Sequence, residues 1–140
     1  VGANSEAVLG TIHGDGGPAV YERVVEDLGV APSSFGVTDL VVTTERTADG
    51  TRRVGAIEEV GSGEPPAFEA LFARDGRDLA PTGRIDRGNS ELVASLAAPG
   101  ETYADIRERL AERARLLRNL AERETVGPEA IERSHGERSR

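Results

Sequence analysis

Ala7-Val8-Leu9-Gly10-Thr11-Ile12-His13-Gly14-Asp15-Gly16-Gly17-Pro18-Ala19-Val20-Tyr21-Glu22-Arg23-Val24-Val25-Glu26-Asp27-Leu28-Gly29 passes from a short apolar run through a glycine-rich turn into an amphipathic segment. That order predicts a strand, a loop and a helix. Pro18 suits the first helical position, because its missing N–H would be unpaired there, and Gly29 suits the left-handed residue past the last turn. Val20, Val24 and Leu28 recur every four residues, with Glu22, Arg23, Glu26 and Asp27 on the other faces, so one apolar stripe is expected to be buried. Asp27 weakens the last turn, since it sits at the negative end of the helix. His13 falls at the exit of the expected strand, the edge of an open α/β sheet where ligands collect. It is one of two histidines in the chain and the first candidate for chemistry. Taken alone, it fits a hydrogen-bonded structural histidine better than a functional one. The Gly14-Asp15-Gly16-Gly17 turn is a weak anion-binding pattern, because its backbone N–H groups would attract a phosphate that Asp15 would repel.

Composition narrows the field. The 140 residues suffice for one ordinary domain or for part of a larger one. Val1 stands where a methionine would start a chain, and methionine is absent throughout, so a fragment is expected. No apolar run approaches about 18 residues and no basic-then-apolar leader opens the chain, so neither a membrane span nor a signal peptide is expected. With 25 acidic against 17 basic residues the net charge is −8, which argues against nucleic acid as a partner. All the basic residues are arginine. That usage accompanies high-salt cytoplasms and GC-rich genomes. Cysteine is absent, so neither disulfides nor thiolate metal sites staple the fold. Absent lysine also excludes a P-loop, Gly-x-x-x-x-Gly-Lys-Ser/Thr, whose lysine reaches the phosphates.

Along the chain, residues 1–6 read as the tail of an upstream element, and Ala31-Pro32-Ser33-Ser34-Phe35-Gly36 as a turn-rich connector anchored by its aromatic ring. Thr38 to Thr47 is rich in β-branched residues and predicts a strand. Asp49-Gly50 marks a hairpin to a second strand, Arg52 to Val60. After a break at 61–66, Ala67 to Ala73 predicts a third, closed by 74–78, so an antiparallel meander is expected. Phe68 and Phe72 are expected on one core-facing side by the period of two. Glu58 and Glu59, being adjacent on a strand, should point to opposite faces and not form an acid/base dyad. Asn89-Ser90 should cap a short helix through Leu92, Val93 and Leu96, ended by Pro99-Gly100. Thr102 should cap the longest helix, from Tyr103 to about residue 124, with Tyr103, Ile106, Leu110, Ala114, Leu117 and Leu120 as its stripe and Arg113 beside it. Gly127-Pro128 should break that helix, 129–133 form a further turn, and 134–140, with His135, fray.

In this order the parts resemble the type II/IV secretion ATPases, the hexameric motors of pilus, archaellum and type II secretion assembly, in their archaeal form. Val8-Leu9-Gly10-Thr11-Ile12-His13-Gly14 is similar to that family's histidine box, which follows the Walker B strand and precedes a helix. The segments 38–42, 52–60 and 68–72, and Arg113 with Leu117 and Leu120, are similar to the C-terminal half. The likeness extends to about residue 131, with 132–140 as a tail. It implies an α/β fold: the C-terminal part of a RecA-like P-loop ATPase domain, then the antiparallel meander and C-terminal helices. It also implies ATP and Mg2+ as cofactors, with the main binding residues outside this chain. His13 and Gly14 would lie near the nucleotide, His13 as a sensor of the terminal phosphate and Thr11 supporting it by a hydrogen bond. Implied partners are the other subunits of a homo-hexamer and a membrane platform protein, at the cytoplasmic face of the cell membrane. The family's box usually opens Thr-Gly-His, and Val1-Gly2-Ala3 or residues further along stand there, so its first histidine has no counterpart. Walker A and Walker B are also missing.

Two other readings stay open. One is a non-enzymatic interaction module, a remnant of the same family that docks through the long C-terminal helix. The other is a metal-free hydrolase pairing His13 with Asp15 or Asp39, which lacks a serine or cysteine in a nucleophile motif.

Overall fold

The computed structural model describes residues 8–123. Expectations for 1–7, for Gly127-Pro128, for 129–133 and for the tail with His135 lie outside the described residues. The chain divides into two compact units, Val1–Leu92 and Val93–Arg140.

In the first unit α1 (Gly16–Glu22) runs into a π-helical turn, Arg23–Asp27, and α2 (Pro32–Phe35) follows. Then come β1 (Leu40–Arg46), β2 (Arg52–Gly63), β3 (Pro66–Asp75) and β4 (Asp78–Pro81). The four strands form one sheet in sequence order, every neighbouring pair antiparallel. The meander is therefore present, and helices accompany it.

Local chemistry accounts for the turns. At the β1–β2 connection the Thr47 N–H donates to the Thr51 carbonyl at 2.8 Å, and Gly50 takes a positive φ of 84°. The Asp49 carboxylate accepts from the Thr51 N–H at 3.0 Å and from the Thr47 hydroxyl. These bonds hold its pKa down from an ordinary 3.8 to about 2, the Thr47 hydroxyl contributing most. The 61–66 segment, expected as a break, breaks only at the Glu64-Pro65 turn; residues 61–63 still belong to β2, and Gly63 pairs with Pro66 at the start of β3. β4 was not expected: four residues ending in proline carry little strand signal, and pairing with β3 creates it.

Register decides the faces. Val60 pairs with Phe68, but Ile57 pairs with Phe72, because an irregularity between Ile57 and Glu58 leaves Leu71 as an extra residue in β3. Ile57 and Val60 are an odd number of residues apart, so Phe68 and Phe72 lie on opposite faces rather than sharing one. Leu71, at 5 % exposure, takes the buried position instead. Glu58 and Glu59 do face opposite ways, each with its own partners.

Three expectations about the first segment are corrected. Residues 8–13 form no strand, and His13 is therefore not at a strand's exit. Val8 and Leu9 are 84 % and 95 % exposed. A strand exists by pairing its backbone N–H and C=O groups, and no neighbour among the described residues pairs with these. The helix opens at Gly16, two residues before Pro18. Its stripe also ends early: Val20 and Val24 are half-buried, but Leu28 is 64 % exposed. The π turn adds one residue to the repeat and rotates Leu28 off the stripe, its N–H reaching back to the Arg23 carbonyl at 3.1 Å. Gly29, with φ at 69°, ends the segment as expected. Phe35 is buried and anchors the connector, edge-on to Tyr21 at 5.1 Å between ring centroids.

α3 (Glu91–Ser95) starts right after Ser90, and α4 (Tyr103–Glu122) right after Thr102. Thr102 and Asp105 form a reciprocal capping box, the N-terminus that the sequence indicated. In the second unit Arg109 pairs with Glu101 at 2.7 Å and donates to the Leu96 carbonyl at 3.2 Å. Of the expected α4 stripe Ile106 is fully buried, Tyr103, Leu110 and Leu120 are half-buried, and Ala114 and Leu117 are exposed. No helix among the described residues is long and apolar enough to cross a membrane.

Candidate functional site

The glycine turn ahead of α1 is built by close approach. A Cβ on Gly14 would stand 2.9 Å from Cγ2 of Val20, one turn into the helix. Gly16 has φ at 85°, a conformation that side chains rarely adopt. Gly17 is buried, and a Cβ there would lie 2.0 Å from Cδ1 of Phe68 on β3. Phe68 in turn meets Phe35 edge-on at 6.3 Å. Gly14 and Gly17 are thus required by packing and Gly16 by its backbone conformation, whatever else they do.

The start of α1 is already engaged by an anionic group. Glu58, in the middle of β2, accepts the Gly17 N–H on Oε2 at 2.8 Å across 41 residues of chain. Asp15 occupies the N-cap position without a side-chain capping bond. A carboxylate at the positive end of a short helix is favourable, and it uses an N–H that a phosphate cradle would need.

Thr11, His13 and Gly14 are adjacent in the chain and all exposed. Among the described residues neither Thr11 nor His13 makes a hydrogen bond or an ion pair, so the expected Thr11–His13 support is not formed here. Asp15 and Asp39 are exposed as well, and no interaction joins either to His13 among the described residues.

On the other face of the sheet Glu59 is 3 % exposed. Its carboxylate accepts the Ser90 hydroxyl on one oxygen and the Glu91 N–H, at 3.2 Å, on the other. Beside it Arg84 bridges Glu69 at 3.1 Å and the Asn89 carbonyl at 2.8 Å, while the Thr82 hydroxyl donates to the Ala70 carbonyl at 2.7 Å. These bonds form a structural network that holds the 82–91 segment, with Arg84 Nε left buried and unpaired.

Sequence reasoning missed Glu58. The signal was there in part: a carboxylate whose same-face neighbours on the strand, Ala56 and Val60, are apolar needs a donor, and the helix lacks an acidic residue in its first turn. What the sequence does not contain is the pairing of residues 17 and 58, which only the sheet brings about.

Among the described residues no group of three or more His, Cys, Asp or Glu is placed to hold a metal ion. Compared with family models, curated proteins and solved structures, the chain matches none.

Proposed function

We propose that this chain is the C-terminal segment of a hexameric ATPase that powers pilus, archaellum or type II secretion assembly, with His13 facing the terminal phosphate. The carrying observation is the state of residues 8–13. An apolar run that would gain about 1.5–3 kcal/mol per buried large side chain is exposed and unpaired among the described residues, and leads through the glycine turn into a helix held to the sheet. Such a run fits a strand whose neighbours belong to an ATPase core ahead of this chain. Pairing there would bring His13 to the sheet's ligand-binding edge.

The chain's own contribution to a nucleotide site is small. Its arginine-only basic set lacks the P-loop lysine, and its glycine turn is committed to Glu58 and Phe68. The phosphates and Mg2+ would be held by residues outside it, leaving one imidazole and one hydroxyl, His13 and Thr11, free to reach them. In phosphoryl transfer a protein acts mainly by positioning and by stabilising charge, which a well-placed imidazole N–H can do. Homo-hexamer subunits and a membrane platform at the cytoplasmic face are the partners this reading brings.

A second reading draws on Leu117, which stays 56 % exposed on α4 and suits a non-enzymatic module that docks through that helix. The test is hydrolysis. The chain alone should release no phosphate from ATP above a buffer control, and the same chain joined to its P-loop core should. Turnover by the isolated chain, or none by the joined protein, contradicts the ATPase reading.

A further inference from the structure

Gly17 is gripped from two sides. The Glu58 carboxylate takes its N–H at 2.8 Å, and the Phe68 ring fills the space where a side chain would be. The same carboxylate oxygen stands 3.6 Å from where a Cβ on Gly16 would project, so it lies against the first turn of α1. Both grips come from the meander, β2 and β3, and neither from the residues near Gly17 in sequence. His13 is four residues ahead of this fixed point, a tether of at most about 14 Å even when extended.

We propose that Glu58 is a positioning residue for His13: from the middle of β2 it fixes the start of α1 and so limits where the imidazole can be presented. The inference rests on the reading of His13 as the phosphate-facing residue. Without the carboxylate the Gly17 N–H loses its partner and the helix its anionic counterpart, since Asp15 makes no capping bond. The first turn of α1 then loosens and His13 gains freedom. A side chain on the meander thereby tunes a residue outside it.

The first test needs no activity. In the 15N-labelled chain, Glu58→Ala should speed exchange of the Gly17 amide at least about tenfold and lower backbone order at Gly14 and His13. Glu58→Gln, whose amide oxygen still accepts, should keep most of the protection. Unchanged exchange and order in Glu58→Ala overturn the proposal. If Glu58→Ala does not fold, Glu58→Asp, one methylene too short to reach Gly17, gives the same readouts. The second test uses the protein joined to its ATPase core. Glu58→Ala should lower kcat about tenfold while KM for ATP changes less than about twofold, Glu58→Gln should restore most of it, and Glu58→Ala should cost nothing further in a His13→Ala background. Loss of turnover in His13→Ala with none in Glu58→Ala overturns the positioning role alone. Full turnover in His13→Ala overturns the reading of His13 on which it rests.

Discussion

At Gly17 a single hydrogen atom does what no side chain can, because the Phe68 ring lies where a Cβ would go. Gly17→Ala should therefore push the ring or the helix aside, at a cost of about 1–3 kcal/mol, the range for overpacking a filled site. Chemical denaturation of the wild-type and variant chains measures it, and equal midpoints would contradict the packing described. The residues on the site side were legible to different degrees. Gly29, Phe35 and Thr102 announce their roles through rules that act within a few residues, and all three hold those roles in the structure. Glu58 does not, since its partner is 41 residues away. The opposed directions of Glu58 and Glu59 follow from the pleat alone, whereas the separation of Phe68 from Phe72 depends on an irregularity that no residue pattern announced.

Elements whose signals are local and complete form where the sequence places them. The Asp49-Gly50 hairpin and the Thr102 helix start are of this kind. Elements that need a distant partner do not: β4 appears only because β3 is beside it, and residues 8–13 form no strand because no strand among the described residues pairs with them. The start of α4 gives a direct check. Thr102→Ala removes the side chain that accepts the Asp105 N–H at 3.3 Å and should cost about 1 kcal/mol. The Asp105 carboxyl has its pKa lowered from the ordinary 3.8, first by the Thr102 hydroxyl and then by the Thr102 N–H. A lowered folded-state pKa means that this stabilisation is complete above the unfolded value and is lost as pH falls through the folded one. Helical circular dichroism should therefore fall more steeply below pH about 4 in the wild type than in Thr102→Ala. Identical acid profiles would show that the capping box contributes nothing.

Taken whole, the chain is an acidic molecule with a net charge of −8 and arginine as its only basic side chain. Molar potassium chloride shortens the Debye length to about 3 Å and should screen that self-repulsion, so its melting temperature should rise between dilute buffer and molar salt. A melting temperature that stays level or drops would remove self-repulsion as a factor in its stability. The larger question is whether the exposed run at 8–13 completes a catalytic sheet. If the chain belongs to the proposed ATPase, His13→Ala in the whole protein should reduce turnover about 10²-fold or more, the usual scale for a lost positioned donor. Nucleotide affinity and melting temperature should change little, since in that reading the phosphates would be held by residues outside this chain and His13 has no bond among the described residues to lose. Measured together on one preparation, a large fall in turnover with an unchanged melting temperature is the outcome the proposed role requires. A lowered melting temperature with turnover per folded protein intact would make His13 a structural residue and contradict that role.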